Sequence, residues 1–255
     1  MWNKSLTRSP RLFTDTKEWA MNGQATATGT QLRTAQTDAS SAVWRAIDIT
    51  VSALGLAWLL PVMLLISIAV LCEGGRPIFF WQKRLGKDGR TFRLYKFRKF
   101  GAKVTGGLSL TMRDDPRLTR VGWLLERSKL DELPQLWNVL AGDMSLVGPR
   151  PESLSFADCF QGAYRRLLDH RPGIFGPAQT MFRNEAAFYP PLEDPETVYR
   201  EVLFPAKAVL DLSYYPTRTV SKDLAWICRG VLAVVTGLSH RPQRLGEDLG
   251  RASSP

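Results

Sequence analysis

The 255-residue chain is poor in the residues that build compact metal or disulfide frameworks. Its cysteines number three, Cys72, Cys159 and Cys228. Their wide spacing excludes a disulfide scaffold and a Cys-x-x-Cys metal site. The two histidines, His170 and His240, form no metal-ligand pair. Acidic residues are in deficit, 24 against 34 Lys+Arg, for a formal net charge of +10. There is no internal repeat. A hydrophobic content of 44% with 23% charge excludes wholesale disorder and collagen-like sequence. A mean hydropathy of −0.15 argues against a multi-spanning membrane protein. The length suits one large or two small domains, at about 100–200 residues each.

One segment breaks that average. Ile49–Cys72, ITVSALGLAWLLPVMLLISIAVLC, holds 24 residues without a charge, bounded by Asp48 and Glu73. As a helix it would be about 36 Å long, which matches a bilayer core of about 30 Å. It starts too deep and runs too long for a cleavable signal. Pro61 removes a backbone hydrogen bond near its middle and biases Leu60 away from helical geometry. The helix then either kinks and still crosses the bilayer, or turns back with both ends on one face. The following stretch, Arg76 to Lys103, carries ten Lys/Arg and a single acid, Asp88. Such a flank is retained in the cytoplasm, which puts the rest of the chain there. The sequence therefore divides into a disordered N-terminal tail (1–40), a membrane-embedded helix (41–75), a main body (76–238) and a disordered C-terminal tail (239–255).

Alternating PIFFWQKR (77–84) and TFRLYKFR (91–98), with a turn at Gly86–Gly89, predict a β-hairpin. Leu118, Val121, Leu124 and Leu125 share one helical face, and Leu133, Leu136, Trp137 and Leu140 repeat at helical spacing. Pro134 fits a first helical turn, which starts the second helix near Asp131. The uncharged run at 230–239 is too short to span a bilayer, so a C-terminal helix packs on the core or lies in the interface. The expected class is α+β: a membrane-embedded helix, a small hairpin and a mainly helical body with interfacial helices.

Several groups of residues could carry chemistry. Asp131 and Glu132 at a helix start lie near free N–H groups and the positive dipole end; plain N-capping of a surface helix is the competing reading. The basic run from Lys83 to Lys99, interleaved with Phe92, Tyr95, Phe97 and Phe100, fits anionic lipid, a diphosphate or nucleic acid. An inward Lys96/Arg98 pair would be costly without a bound anion. In GDMSLVGPRPE, Pro149 and Pro151 pre-organise the backbone around Arg150, whose fork suits phosphate; a Pro-rich loop with a solvated Arg is the alternative. HRPGIFGPA and FRNEA supply His170, Arg171, Arg183, Asn184 and Glu185. Asp223 reads most simply as an N-cap or first-turn residue.

Together, QKRLGKDGRTFRLYKFRKF, DDPRLTRVGWLLERSKLDELPQLWNVLAGDMSLVGPRPE and HRPGIFGPAQTMFRNE resemble the bacterial sugar transferase family, the polyprenyl-phosphate hexose-1-phosphate transferases or monotopic phosphoglycosyl transferases. The resemblance runs in order from about residue 44 to 238 and implies transfer of a sugar-1-phosphate from a UDP-sugar to undecaprenyl phosphate, with release of UMP. This would start exopolysaccharide, O-antigen or glycan repeat-unit assembly at the bacterial inner membrane, with the catalytic body on the cytoplasmic face. It implies that Asp131 is the nucleophile, forming an aspartyl-phosphosugar intermediate, and that Glu132 with Asp131 holds Mg²⁺. Lys96, Arg98, Arg150, Arg171, Arg183 and Asp223 would bind phosphate or nucleotide. The family's membrane helix is re-entrant, broken at a Ser-Pro pair; here that pair is Leu60-Pro61. The partners so implied are UDP-sugar, undecaprenyl phosphate and membrane lipid, and not nucleic acid, since no recognition-helix or RNA-binding signature is present. A homodimer stays open. The competing class is a membrane-anchored basic protein that binds anionic lipid or nucleic acid without catalysis.

Overall fold

The computed structural model describes residues 34–101, 115–189 and 194–236. The expected α+β class is what it contains. Helix α1 (Thr34–Gly74) leads into a hairpin of β1 (Phe79–Leu85) and β2 (Thr91–Phe97). Helices α2 (Arg120–Ser128) and α3 (Gln135–Ala141) follow, separated by a 3₁₀ turn at Leu130–Glu132. Strands β3 (Ser145–Val147) and β4 (Gly173–Phe175) form a parallel pair, after which α4 (Pro177–Met181) begins. Helices α5 (Pro195–Val198) and α6 (Phe204–Tyr214) are joined by a π turn, and α7 (Val220–Thr236) closes the described chain. Most of the expected N-terminal tail and the whole C-terminal tail lie outside the described residues, although α1 already starts at Thr34.

Helix α1 is the candidate membrane segment, and by length and composition it could cross a bilayer. Pro61 lies inside it. One stripe, formed by Asp48, Ser52, Ile66 and Val70, is buried against the body. The opposite side is apolar and open: Leu54 is 66%, Trp58 81% and Leu65 68% exposed. Both ends are hydrogen-bonded to the same body. At the start, the Arg45 guanidinium donates to the Val139 and Leu140 carbonyls at 2.6 and 2.8 Å. One turn on, Asp48 accepts from the Leu146 N–H at 2.8 Å and the Ser145 hydroxyl at 3.1 Å. At the far end, Glu73 accepts from the N–H groups of Arg120 and Val121 at 2.7 and 2.9 Å, capping α2.

The hairpin pairs antiparallel from Phe79 opposite Phe97 to Leu85 opposite Thr91, as its alternation predicts. Asp88 and Gly89 take left-handed backbone angles in the turn, φ 58° and 73°. The two following helices turn differently from their apolar periodicity. In α2 the docked side is Val121, Gly122 and Leu125, while Leu124 stays 57% exposed. Gly122 presses on the Lys99 backbone, where a Cβ would sit 1.9 Å from the carbonyl oxygen, and this contact sets the rotation of the helix.

Helix α3 begins at Gln135, with Pro134 at its N-cap, instead of at Asp131. Its buried face is Gln135, Asn138 and Val139, and Trp137 is 56% exposed. Asn138 decides this. Its Oδ1 accepts from Tyr95 N–H at 3.1 Å and its Nδ2 donates to the Arg93 carbonyl at 2.7 Å, so the side chain completes the open edge of β2. Under the C-terminal half lies the main core, in which Phe156, Tyr199, Phe204 and Leu203 are almost wholly buried.

Replacing Asn138 by Ala leaves two part-buried backbone groups without their partner at once. We expect Asn138→Ala to lower stability by about 2–4 kcal/mol, read as an earlier denaturant midpoint of the detergent-solubilised protein. Wild-type stability would show that the edge of β2 does not depend on this side chain.

Candidate active site

The site is assembled where the hairpin, the 3₁₀ turn and the β3–β4 pair meet. Lys96 comes from β2, where it shares a strand face with the buried Leu94 and so points inward. Lys129, with left-handed φ 59°, ends α2 and reverses the chain into Leu130–Glu132. This places the Asp131 and Glu132 carboxylates beside Lys96. The Lys96 ammonium is 2.7 Å from Glu132 Oε1 and 4.0 Å from Asp131 Oδ2. Asp131 is 2% exposed, and its Oδ1 has no hydrogen-bond partner among the described residues. The surface N-cap reading of the dyad therefore does not describe this geometry.

Arg150 is fixed from both sides. Gly148 and Gly173 cross so closely that a Cβ on either would fall near 2 Å from the other strand's backbone, at 2.1 and 2.0 Å. Pro149 accepts from Gly173 N–H at 2.8 Å, and the carbonyl of Glu152 accepts from Leu85 N–H at 3.0 Å. The loop between the two prolines is therefore clamped to β4 on one side and to β1 on the other. Behind it, Asp211 accepts from the N–H groups of Ala178 and Arg150.

A small cleft opens between these parts, lined among others by Arg84, Lys96, Glu132, Gln135, Arg150 and Gln179. Asp131 is not among the lining residues, although its Oδ2 is 4.0 Å from the Lys96 ammonium that is. A second cavity, of about 250 Å³, lies behind Arg150 against Lys207 and Asp211 and carries none of the dyad.

Burial and charge together set the ionisation of these groups. Burial pushes Glu132 up, but Lys96, Lys129 and Arg150 outweigh it and hold its carboxyl well below the usual range. Asp131 shifts the other way: burial raises it, Lys96 offsets only part of that, and the Glu132 charge adds to the rise. The asymmetry follows from which carboxylate the ammonium bonds. Arg150 is buried, yet the carboxylates of Glu185, Glu152 and Glu132 hold it firmly in its charged form. Behind it, burial would raise Glu185, but Lys207 and Arg150 bring it down to about 2. Burial raises Asp211 to about 8, only partly offset by its two backbone donors.

The remaining sequence candidates are placed elsewhere or at the margin. Arg98 donates to the Gly75 carbonyl at 2.8 Å, closing the C-terminal end of α1, while its Nε and Nη1 are buried without partners among the described residues. Arg171 donates to the Gly142 carbonyl at 3.0 Å and caps α3. Arg183 donates to the Arg127 carbonyl at 3.0 Å and lies close enough to Glu132 to feel its charge. Asp223 is buried against Arg218, with Oδ2 at 2.6 Å, and hydrogen-bonds to Tyr214. His170 stacks on Tyr215 with ring centroids 4.2 Å apart. The pocket-lining Gln135 and Gln179, and the Lys207–Asp211 pair, were not singled out as candidates. The signal that could find the pair is a cation and an acid four residues apart inside the apolar run FPAKAVLDL.

The match to a family model settles the family question. Residues 39–237 match the model of the bacterial sugar transferases. The chain belongs to the bacterial sugar transferase family. Similar proteins include a UDP-glucose:undecaprenyl-phosphate glucose-1-phosphate transferase of Caulobacter vibrioides, 34% identical over 196 residues (75% of this chain, 69% of that one). A UDP-N-acetylgalactosamine-undecaprenyl-phosphate N-acetylgalactosaminephosphotransferase of Aeromonas hydrophila is 40% identical over 143 residues, 54% of this chain and 33% of its own. The UDP-glucose:undecaprenyl-phosphate glucose-1-phosphate transferase of Escherichia coli is 38% identical over 143 residues, 53% of this chain and 30% of its own. The chain thus spans about a third of the length of the last two relatives.

The charge pattern has a spectroscopic consequence. An infrared carboxyl band that disappears in Asp131→Asn should persist to a higher pH than an ordinary aspartate, which titrates near about 3.9. In Lys96→Met the cation that lowers Asp131 is gone, so the band should survive to still higher pH. A band lost at the ordinary pH in both proteins would contradict the asymmetry.

Proposed function

We propose that this protein transfers a sugar-1-phosphate from a UDP-sugar to undecaprenyl phosphate and releases UMP, with Asp131 as the nucleophile. The observation that carries the reading is the pairing of a buried Asp131 and a half-buried Glu132, held against Lys96 beside a cleft that Arg150 also lines. The names of the similar proteins from Caulobacter, Aeromonas and E. coli describe the same class of transfer. A binder of anionic lipid or nucleic acid needs cations on an open surface, and a buried carboxylate pair would work against it.

In the first step an Asp131 carboxylate oxygen attacks the sugar-proximal phosphorus. A P–O bond to Asp131 forms, the bond to the bridging oxygen breaks, and its electron pair leaves with UMP. In the second step an oxygen of the lipid phosphate attacks that phosphorus, which joins sugar phosphate to lipid and frees the carboxylate. Covalent catalysis divides one difficult exchange into two easier ones. The chain's own contribution is electrostatic. Lys96 and Arg150 offset the repulsion between an anionic nucleophile and an anionic donor. Lys96 also biases the resting dyad, since its bond to Glu132 leaves Asp131 as the more basic carboxylate.

Mg²⁺ fits this donor set. The orphaned Asp131 Oδ1 beside Glu132 offers the one or two carboxylates that Mg²⁺ takes when substrate phosphates complete its shell. Asp131 and Glu132 would hold the ion, which would supply charge neutralisation at the diphosphate oxygens.

Helix α1 supplies the membrane element. Its two ends are bonded to one body, so we read it as entering and leaving the same leaflet face, with the open apolar side in lipid. The body then lies at the cytoplasmic face, where a polyprenyl phosphate meets a soluble nucleotide sugar. The reaction is suited to the opening step of glycan repeat-unit assembly.

UMP release from a panel of UDP-sugars, with undecaprenyl phosphate in detergent, tests the chemistry. Asp131→Asn should lose at least about 10³-fold in rate, since it removes the covalent route, and EDTA should stop the wild type until Mg²⁺ is restored. Turnover by the variant overturns the nucleophile, and indifference to chelation overturns the metal. For topology, a cysteine replacing Trp44 should stay protected from a membrane-impermeant periplasmic thiol reagent. Labelling there would mean that α1 crosses the bilayer.

A further inference from the structure

The cleft holds a cation that the roles above leave unused. Arg84, at the end of β1, lines it together with Lys96, Glu132 and Arg150. Its Nη1 donates to the Pro151 carbonyl at 3.3 Å and its Nη2 to Gln82 Oε1 at 2.8 Å, both neutral acceptors. Its Nε is buried without a hydrogen-bond partner among the described residues. Burial and the neighbouring Arg150 both disfavour its charge, and Glu152 returns only part of the loss.

Two guanidiniums and an ammonium therefore face one cleft with a single lining carboxylate, and that carboxylate is already paired to Lys96 at 2.7 Å. Buried like charges are costly unless a counter-charge joins them. The unmatched cation is Arg84, since Glu185, Glu152 and Glu132 already balance Arg150, and a diphosphate brings the negative charge it lacks. The two arginines also sit on one rigid piece: Leu85 N–H bonds the Glu152 carbonyl at 3.0 Å, and Arg84 bridges to Ser153 across the strands. Their spacing is thus fixed before any ligand arrives, which spares the ordering cost of binding.

Resting on the sugar-1-phosphate transfer proposed above, we propose that Arg84 binds the nucleotide-side phosphate of the donor and takes up its charge as the P–O bond to the bridging oxygen breaks. Lys96 lies 4.0 Å from the nucleophile and so serves the phosphorus under attack. Arg84, which lines the same cleft beside Arg150 and is not bonded to the dyad, serves the phosphate that departs as UMP. A planar fork suits that phosphate better than a point charge does.

Calorimetric binding of UMP to the full-length protein in detergent tests this, using wild type, Arg84→Gln and Arg84→Lys. Arg84→Gln should weaken UMP binding by about 10–100-fold, and Arg84→Lys by a smaller factor, because it restores charge without the fork. Thermal unfolding of the ligand-free proteins runs alongside. If Arg84→Gln is unfolded, Arg84→Lys is read in its place: weaker UMP binding supports the assignment and wild-type affinity overturns it. Wild-type affinity in a folded Arg84→Gln overturns the role of Arg84 alone. A wild type that binds no UMP overturns both this inference and the transfer reaction on which it rests.

Discussion

The organising interaction is the 2.7 Å bond between the Lys96 ammonium and Glu132 in a half-buried site. Burial penalises every charge there, so each ionised group must find a partner or give up its charge. Lys96 stands between two adjacent carboxylates and bonds one of them. Glu132 is thereby kept ionised, while Asp131 is left with an unpartnered oxygen and a raised proton affinity. Two neighbours of the same chemistry thus acquire opposite tendencies from one ammonium. That division is what the proposed roles require, one carboxylate as an electrostatic support and the other as a reacting group.

The division survives only if the backbone around it does not move, and three devices ensure that. The left-handed Lys129 turns the dyad inward at the end of α2. Asn138 fastens α3 to the edge of β2, the strand that carries Lys96. The Gly148–Gly173 crossing brings the Arg150 loop to the same cleft from the other side of the domain. The cation behind one wall is matched by a carboxylate behind the other, because Glu185 is held ionised by Lys207 and Arg150. The result is a pocket whose charges are fixed in space before a ligand enters, the condition under which electrostatic stabilisation is largest.

The long apolar helix is joined to this arrangement by polar contacts at its ends. Arg45 reaches carbonyls in the last turn of α3, Asp48 reaches the Leu146 N–H in β3, and Glu73 reaches the start of α2. The two helices that flank the dyad are therefore each tied to one end of α1. A segment with an open apolar side is in this way held in register with a charged cleft, which suits a reaction between a lipid-bound and a soluble substrate.

Much of this was legible in the residues. The uncharged run with its basic flank, the hairpin with its turn, and the motifs around Asp131-Glu132 and Arg150 are local signals, and local signals survive folding. What sequence periodicity missed were choices made by contact. Leu124 and Trp137 belong to apolar repeats yet lie exposed, because Gly122 and Asn138 fix the rotation of their helices. Arg98 and Arg171 read as phosphate ligands like Arg150, yet each is drawn to a helix-end carbonyl. A guanidinium carries the same charge wherever it stands. The amino-acid order determined which cations, carboxylates and apolar stretches exist. Only the packed structure decided which of them share one water-poor cleft, because burial and a few ångströms of separation, and not residue type, set how strongly two charges act on each other.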